Sequence, residues 1–329
     1  MIATGTDTAY FRFSTDAVPE RARIRAVRTL HEHPLLRRRL EPLVPLPNRP
    51  VRVNIARLAL PSLGTMSGML CGLCQCIEPE RSVRAGNDHL FLGVNLAGGS
   101  LVRQGDREIT LRPGDAVFAS RGHAGCTISR PTSVRFVGVC LYRHALAPLV
   151  TDLDDTELRL IPHHTEALRL LTTYIDAVLN AHQVPAPALQ RLVAIHVYDL
   201  VALAIGATRD AALIAEGRGV RAARLGAMKA YIAANLSDSD LSAASVAARQ
   251  GVTPRYVHKL FEDEGVTFSK FVLSRRLERA HRMLTDPRFA CRTISSLAFD
   301  VGFGDLSYFY RTFRRRYDAT PSEVRQSAE

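Results

Sequence analysis

The segment 302-GFGDLSYFYRTFRRRYDATP-321 carries the strongest structural signal in the sequence. Gly302 is suited to a turn, and Asp305 is a residue type that caps the start of a helix. In the helix that follows, Phe309 and Phe313 fall on one face. The opposite side is polar and basic and carries Ser307, Tyr310, Arg311 and Arg314. The pattern predicts a short, capped helix with one buried face and one face that can meet a polyanion.

An earlier segment, 241-LSAASVAARQGVTPRYVHKLF-261, repeats this arrangement. Its first part contains small residues that let one helix approach another closely, namely Ala243, Ala244, Ala247 and Ala248. Gly251 supplies a turn, and Thr253 caps a second helix that has Pro254 at its first position. The helical period buries Val257, Leu260 and Phe261. It leaves the opposite face exposed, with Arg255, His258 and Lys259.

Two such units predict a pair of helix-turn-helix motifs that bind double-stranded DNA. A recognition helix is short, capped and supported by a crossing helix, so that its outer side chains enter the major groove. Arg and Lys then contact guanine, whereas arginines at the helix end contact phosphates. We expect Arg314 and Arg315 to make such phosphate contacts. Residues 220–329 carry 18 Lys or Arg against 12 Asp or Glu, which gives them a net charge of +6.

The segment between the two motifs, 269-SKFVLSRRLERAHRML-284, has apolar residues at helical spacing. A stiff helix here would hold the two recognition helices at a fixed separation, one helical turn of DNA apart if both enter the same face. We therefore expect residues 220–329 to form an all-α, double helix-turn-helix domain.

The N-terminal part of the chain has a different pattern. Residues 51–145 contain short β-type runs separated by Gly, Pro and Asp, which predict a sandwich or small barrel. Residues 1–50 are interpreted as a lead-in. Residues 146–207 predict a helical hairpin whose second helix is apolar on more than one face, so that it either closes the β-domain or meets its copy in a homodimer. Residues 208–219 are interpreted as a linker.

Residues 221–325 resemble the DNA-binding domain of the AraC/XylS family of bacterial transcription regulators. The resemblance lies in SVAARQGVTPRYVHKLF, RLERAHRML and ISSLAFDVGFGDLSYFYRTFRRRYDATPSEVR. It implies that the first recognition helix presents Arg255, His258 and Lys259, and that the second presents Leu306, Ser307, Tyr310 and Arg311. It also implies a set of packing positions, namely Gly302, Phe303, Phe309, Phe313 and Pro321.

Residues 11–145 resemble the cupin-like sensor domain that many family members carry, through FSTDAVPERARIRAV and LVRQGDREITLRPGDAVFAS. The family's lead-in helix often has Trp where Val27 stands here, and this chain contains no Trp. The expected fold is thus α+β and multidomain, with a cupin-like β-barrel, a helical hairpin and the all-α DNA-binding domain. The resemblance implies regulation of transcription by a small-molecule effector, more often as an activator, with RNA polymerase as a further partner.

Two alternatives with chemistry of their own are a cupin-type metal-dependent enzyme and an Ada-like repair protein, each fused to a DNA-binding domain. The motif CGLCQC offers Cys71, Cys74 and Cys76, but a structural zinc site needs four ligands. The other cysteines, Cys126, Cys140 and Cys291, stand apart. A cupin metal site needs a His-x-His pair, whereas His89 is followed by Leu90, and His123 is isolated. We therefore predict no enzymatic activity, no metal and no cofactor.

The composition agrees with a nucleic-acid partner. The formal net charge is +11 and the isoelectric point is about 9.8, which favours polyanions. The first residues lack the pattern of a signal peptide, and no apolar run is long enough to cross a bilayer. We expect a cytoplasmic protein with reduced cysteines and no membrane association.

Overall fold

The computed structural model describes residues 10–30, 39–42, 51–77, 89–120, 126–153, 158–180, 186–238 and 240–327. The chain divides into two compact units, Met1–Ala223 and Arg224–Glu329. The first unit is rich in β-strands, and the second is helical. This is the predicted combination of a β-rich N-terminal domain and a helical C-terminal domain.

The strands of the first unit form two antiparallel sheets within the described residues. The seven-stranded sheet has the order β1-β3-β4-β11-β6-β9-β12, and the five-stranded sheet has the order β2-β5-β10-β7-β8. The strands are β1 (Tyr10–Ser14), β2 (Arg39–Pro42), β3 (Arg52–Leu60), β4 (Leu63–Cys71), β5 (Leu73–Ile77), β6 (His89–Ala97), β7 (Ser100–Gln104), β8 (Arg107–Leu111), β9 (Ala116–Ser120), β10 (Cys126–Arg130), β11 (Val134–Tyr142) and β12 (Arg159–Ile161).

The larger sheet is buried on both faces. Successive side chains of a strand point to opposite faces, and on this sheet both faces are covered. On β6, Phe91 packs in a cluster with residues of the smaller sheet, such as Ile128. The neighbouring Leu90 and Leu92 belong to a different cluster, which includes residues of the helical hairpin. The first unit therefore has three layers, with the larger sheet in the middle.

The helices of the first unit are α1 (Glu20–Thr29), α2 (Arg143–Leu146), α3 (Glu166–Asn180), α4 (Pro187–Ile205) and α5 (Arg209–Ala215). Helix α4 closes the β-domain, since Val197, Leu200 and Val201 are buried in the core shared with the larger sheet. The hydroxyl of Tyr198 donates to the carbonyl of Ser62 at 2.6 Å and accepts from the amide of Tyr142 at 2.9 Å. By length and composition α4 is also the one described helix that could span a membrane, and half of its apolar window is buried inside the protein.

The described residues within 1–50, and residues 208–219, do not form the lead-in and the linker that the sequence predicts. Strand β1 pairs with β3, β2 pairs with β5, and α1 buries Val27 in the core between the sheets. Helix α5, which Thr208 caps, and a π-helical turn at Glu216–Val220 pack on α4, and both segments belong to the first unit. Small residues explain this packing, because Ala211, Ala215 and Gly219 allow a close approach between helices.

The second unit contains α6 (Arg221–Ala234) from Arg224 onward, α7 (Ala243–Gln250), α8 (Pro254–Glu262), α9 (Phe268–Leu284), α10 (Ile294–Asp300), α11 (Leu306–Tyr317) and α12 (Pro321–Gln326). It has two hydrophobic clusters. The first cluster joins α6, α7, α8 and the start of α9. The second joins the rest of α9 with α10 and α11.

Candidate nucleic-acid interface

The first helix-turn-helix motif is formed by α7 and α8. Ser242 and Ser245 form a capping box at the start of α7, and Gly251 ends this helix in a left-handed conformation with φ of +66°. The hydroxyl of Thr253 accepts a hydrogen bond from the amide of Tyr256 at 3.3 Å and so caps α8. Pro254 occupies the first helical position, where its missing amide proton costs nothing.

One face of α8 is buried and the other is exposed to solvent. Val257, Leu260 and Phe261 lie in the first cluster of the second unit. All three residues predicted to contact DNA on this helix are exposed, namely Arg255, His258 and Lys259. The helix is therefore held by its apolar side and presents donors and a cationic surface on the other side.

The second motif, formed by α10 and α11, repeats this construction. Thr293 caps α10, and Gly302 takes φ of +92° in the turn between the helices. The carboxylate of Asp305 accepts a hydrogen bond from the amide of Tyr308 at 3.0 Å and caps α11. The predicted packing positions are all buried, namely Gly302, Phe303, Phe309, Phe313 and Pro321.

Most of the predicted contact residues on α11 are exposed. They are Ser307, Tyr310, Arg311, Arg314 and Arg315. Leu306 differs, because it is half-buried and packs against the second cluster. An apolar side chain at the first position of the helix gains more by covering this core than by facing water. Only part of its surface is left for contact with a base.

Two side chains of α11 have positions that the sequence did not indicate. Tyr308 is 40% exposed, and the guanidinium of Arg311 lies 5.7 Å from the centre of its ring, a cation–π geometry. Tyr308 and Arg311 are three residues apart on a helix, and this spacing is the feature of the sequence that could have indicated their contact. Arg316, although part of the basic run, lies 3.0 Å from Oε1 of Glu278 on α9. Its charge is therefore partly neutralised within the protein.

The residues considered for metal binding are only partly described. No group of three or more His, Cys, Asp or Glu side chains among the described residues is arranged to hold a metal ion. His123 lies outside the described residues, as do the side chains of Cys74 and Cys76. Cys71 is half-buried at the end of β4, and Cys126 is buried between the sheets.

Comparison with known proteins agrees with this geometry. Residues 246–327 match a helix-turn-helix domain model, and residues 39–205 match an AraC-binding-like domain model. Similar proteins include the transcriptional activator RhrA of Rhizobium meliloti (strain 1021), with 33% identity over 214 residues, and the arabinose operon regulatory protein of Escherichia coli (strain K12), with 32% identity over 100 residues. These alignments cover 65% and 30% of this chain.

The same alignments cover 66% of RhrA and 33% of the arabinose regulator, so the chain spans less than two thirds of either relative. Among solved structures, the AraC-like transcriptional activator CuxR aligns with a TM-score of 0.47 and 17% identity over 83% of this chain and 95% of CuxR. The AraC-binding-like match alone spans more than half of the sequence. The chain belongs to the AraC/XylS family of transcription regulators.

Proposed function

We propose that the protein is a sequence-specific DNA-binding regulator that contacts double-stranded DNA through α8 and α11. One observation carries the proposal: two capped helices, each anchored by buried apolar residues, expose arginines and other hydrogen-bonding side chains on the opposite face. Such helices fit the major groove, where Arg binds guanine and small polar side chains make adaptable contacts.

The site residues have two proposed roles. Arg255, His258 and Lys259 of α8 contact base edges. On α11 the same role belongs to Leu306, Ser307, Tyr310 and Arg311. Arg314 and Arg315, at the end of α11, bind phosphate groups and position the helix.

The first unit is proposed to bind a small-molecule effector that controls the second unit. Support comes from its match to an AraC-binding-like domain and from its two-sheet architecture. Because RhrA is named as a transcriptional activator, we propose activation, with RNA polymerase as partner, in the cytoplasm. Homodimerisation is proposed through exposed apolar residues of α4, which are Leu189, Leu192 and Ile195.

The central test is selection of duplexes from a random-sequence library with the purified full chain. We expect an enriched consensus with two elements, and a gel-shift competition in which the consensus displaces random DNA. Binding without enrichment would support an architectural DNA-binding protein instead. Stoichiometric zinc or iron in purified protein that lacks sequence preference would support the enzyme or the repair protein.

A further inference from the structure

The two helix-turn-helix motifs share one helix but have separate hydrophobic clusters. The N-terminal part of α9, with Phe268 and Val272, belongs to the first cluster. The C-terminal part, with Leu277, Ala280 and Leu284, belongs to the second. A helix of 17 residues is about 26 Å long and sets the distance between the clusters. Contacts between residues beside this helix add a further constraint on how one motif is turned relative to the other.

Arg276 lies on α9 where one cluster gives way to the other. Its Nε donates to the carbonyl of Leu236 at 3.1 Å, and its Nη2 donates to the carbonyl of Asp238 at 2.7 Å. Both carbonyls belong to the chain that follows α6, and Leu236 is itself buried in the first cluster. Arg276 is half-buried, and this burial lowers the pKa of its guanidinium, an effect that the nearby Asp238 opposes. The side chain thus ties the central helix to the end of α6.

Gly302, in the turn of the second motif, contacts the same two residues, Leu236 and Arg276. A Cβ atom at this position would overlap the carbonyl oxygen of Leu236 and would lie 2.8 Å from Nε of Arg276. Its φ of +92° also favours glycine. The turn that leads into α11 is therefore in direct contact with the guanidinium of Arg276 and with Leu236 of the first cluster. We call these three residues, Leu236, Arg276 and Gly302, the inter-motif junction.

A second contact holds the far end of α11 on α9. The carboxylate of Glu278 accepts hydrogen bonds from Nη2 of Arg316, Oγ of Ser274 and Nη1 of Arg275, each at 3.0 Å. Helix α11 is thus supported before its start by the junction and near its end by Arg316. Because Arg276 and Glu278 both lie on α9, loss of either contact would let α11 change its direction relative to α9 and therefore to α8.

We propose that Arg276 is a positioning residue that sets the separation and relative rotation of the two recognition helices. It thereby determines which spacing between two DNA elements the protein accepts. The inference rests on the proposed function, because spacing has meaning only if α8 and α11 both contact DNA. Each added base pair moves the second element by about 3.4 Å and rotates it by about 35° around the DNA axis. A rigid junction therefore makes binding sensitive to spacing.

The experiment uses the full chain and the two-element consensus selected with it. Binding is measured for duplexes whose two elements are separated by the selected spacing and by one or two base pairs more or fewer. Wild-type protein should lose about tenfold or more in affinity when the spacing changes, comparable to the loss of an important base contact. Arg276→Met should bind the selected duplex less tightly and should have a clearly smaller ratio between selected and altered spacings. Base preference within each element should stay unchanged.

The control is Arg282→Met, which removes the same charge from an exposed position of the same helix and should keep the wild-type spacing ratio. Arg276→Lys, which keeps the positive charge but has a single donor group, should give an intermediate ratio and serves as the test if Arg276→Met does not fold. A wild-type ratio in the folded Arg276 variants overturns the inference, and so does a wild-type consensus with one element only. Failure of the wild-type chain to select any sequence instead overturns the proposed function.

Discussion

Arg218 and Asp199 form a bidentate ion pair, with Nε 2.6 Å from Oδ2 and Nη2 2.9 Å from Oδ1. Asp199 lies on α4 and its side chain is 2% exposed, whereas that of Arg218, in the π-helical turn, is 46% exposed. Gly219 makes this pairing possible, because a Cβ atom there would lie 2.7 Å from Cβ of Asp199. The pair therefore attaches the turn that precedes α6 to the core helix of the first unit.

The unequal burial of the two partners predicts unequal effects of their removal. Arg218→Met leaves a buried carboxylate without its cation and should lower the free energy of unfolding of the first unit by about 3 kcal/mol. Asp199→Asn leaves a half-exposed guanidinium that water can solvate, and should cost about 1 kcal/mol. Urea denaturation followed by circular dichroism measures both. Equal losses of stability in the two variants would contradict the expectation that the buried Asp199 depends more on its partner than Arg218 does. The double variant Asp199→Asn/Arg218→Met supplies the coupling energy between the two side chains.

Much of the second unit was predictable because its signals are local. The caps at Thr253 and Asp305 precede their helices directly, and the buried faces of α8 and α11 follow from the helical period. Gly302 was predicted as a turn residue. Its contact with Leu236 was not, because the two residues are distant in sequence and meet only in the folded domain.

The first unit was less predictable for the same physical reason. Strand β1 has five residues, and its role depends on pairing with β3 about 45 residues later, for which no local pattern exists. The segment after α4 contains Gly217 and Gly219, which suggested a linker. Gly219 instead lies buried against Asp199 of α4, a tertiary contact that no local pattern in the sequence indicates. Likewise, nothing local distinguishes Arg316, which pairs with Glu278, from Arg315.

Arg255 and Arg311 are predicted to determine sequence preference. Arg255→Ala or Arg311→Ala should cost about 1–3 kcal/mol of binding to the consensus, because each lost arginine removes a pair of hydrogen bonds to a base. Affinity for random DNA should fall much less. A competition gel-shift with single-base variants of the consensus identifies the position whose preference is relaxed. Unchanged discrimination at every position would refute these two roles.

Arg315 is predicted to bind phosphate, and Arg316 provides a matched comparison on the same helix. Arg315→Ala should weaken binding to all sequences alike and reduce the slope of log affinity against log salt by about 1. Arg316→Ala should change the slope less, because Glu278 already lies 3.0 Å from its guanidinium. Affinities measured at several salt concentrations distinguish the two. An equal slope change in both variants would show that the pairing with Glu278 does not persist on DNA.

The stability of the first unit should depend on pH through His196. Tyr174 and His196 are joined by a hydrogen bond of 2.8 Å between Oη and Nδ1. Burial raises the pKa of Tyr174 to about 12, so the phenol stays protonated and donates. Burial also lowers the pKa of His196, helped by the charge of Arg218 and opposed by that of Asp199. The imidazole is therefore neutral at pH 7 and accepts the hydrogen bond.

As the pH falls below about 6.5, His196 in the unfolded chain binds a proton that the folded chain still excludes. The free energy of unfolding should therefore be highest above about pH 6.5 and should decrease as the pH falls toward the folded-state pKa, by at most about 1.4 kcal/mol per pH unit. His196→Gln, which cannot titrate, should have a shallower dependence between pH 7.5 and 5.5. His164→Gln, which removes an exposed imidazole from the same unit, is the control variant for this measurement. Parallel curves for wild type and His196→Gln would mean that this histidine is protonated equally well in both states.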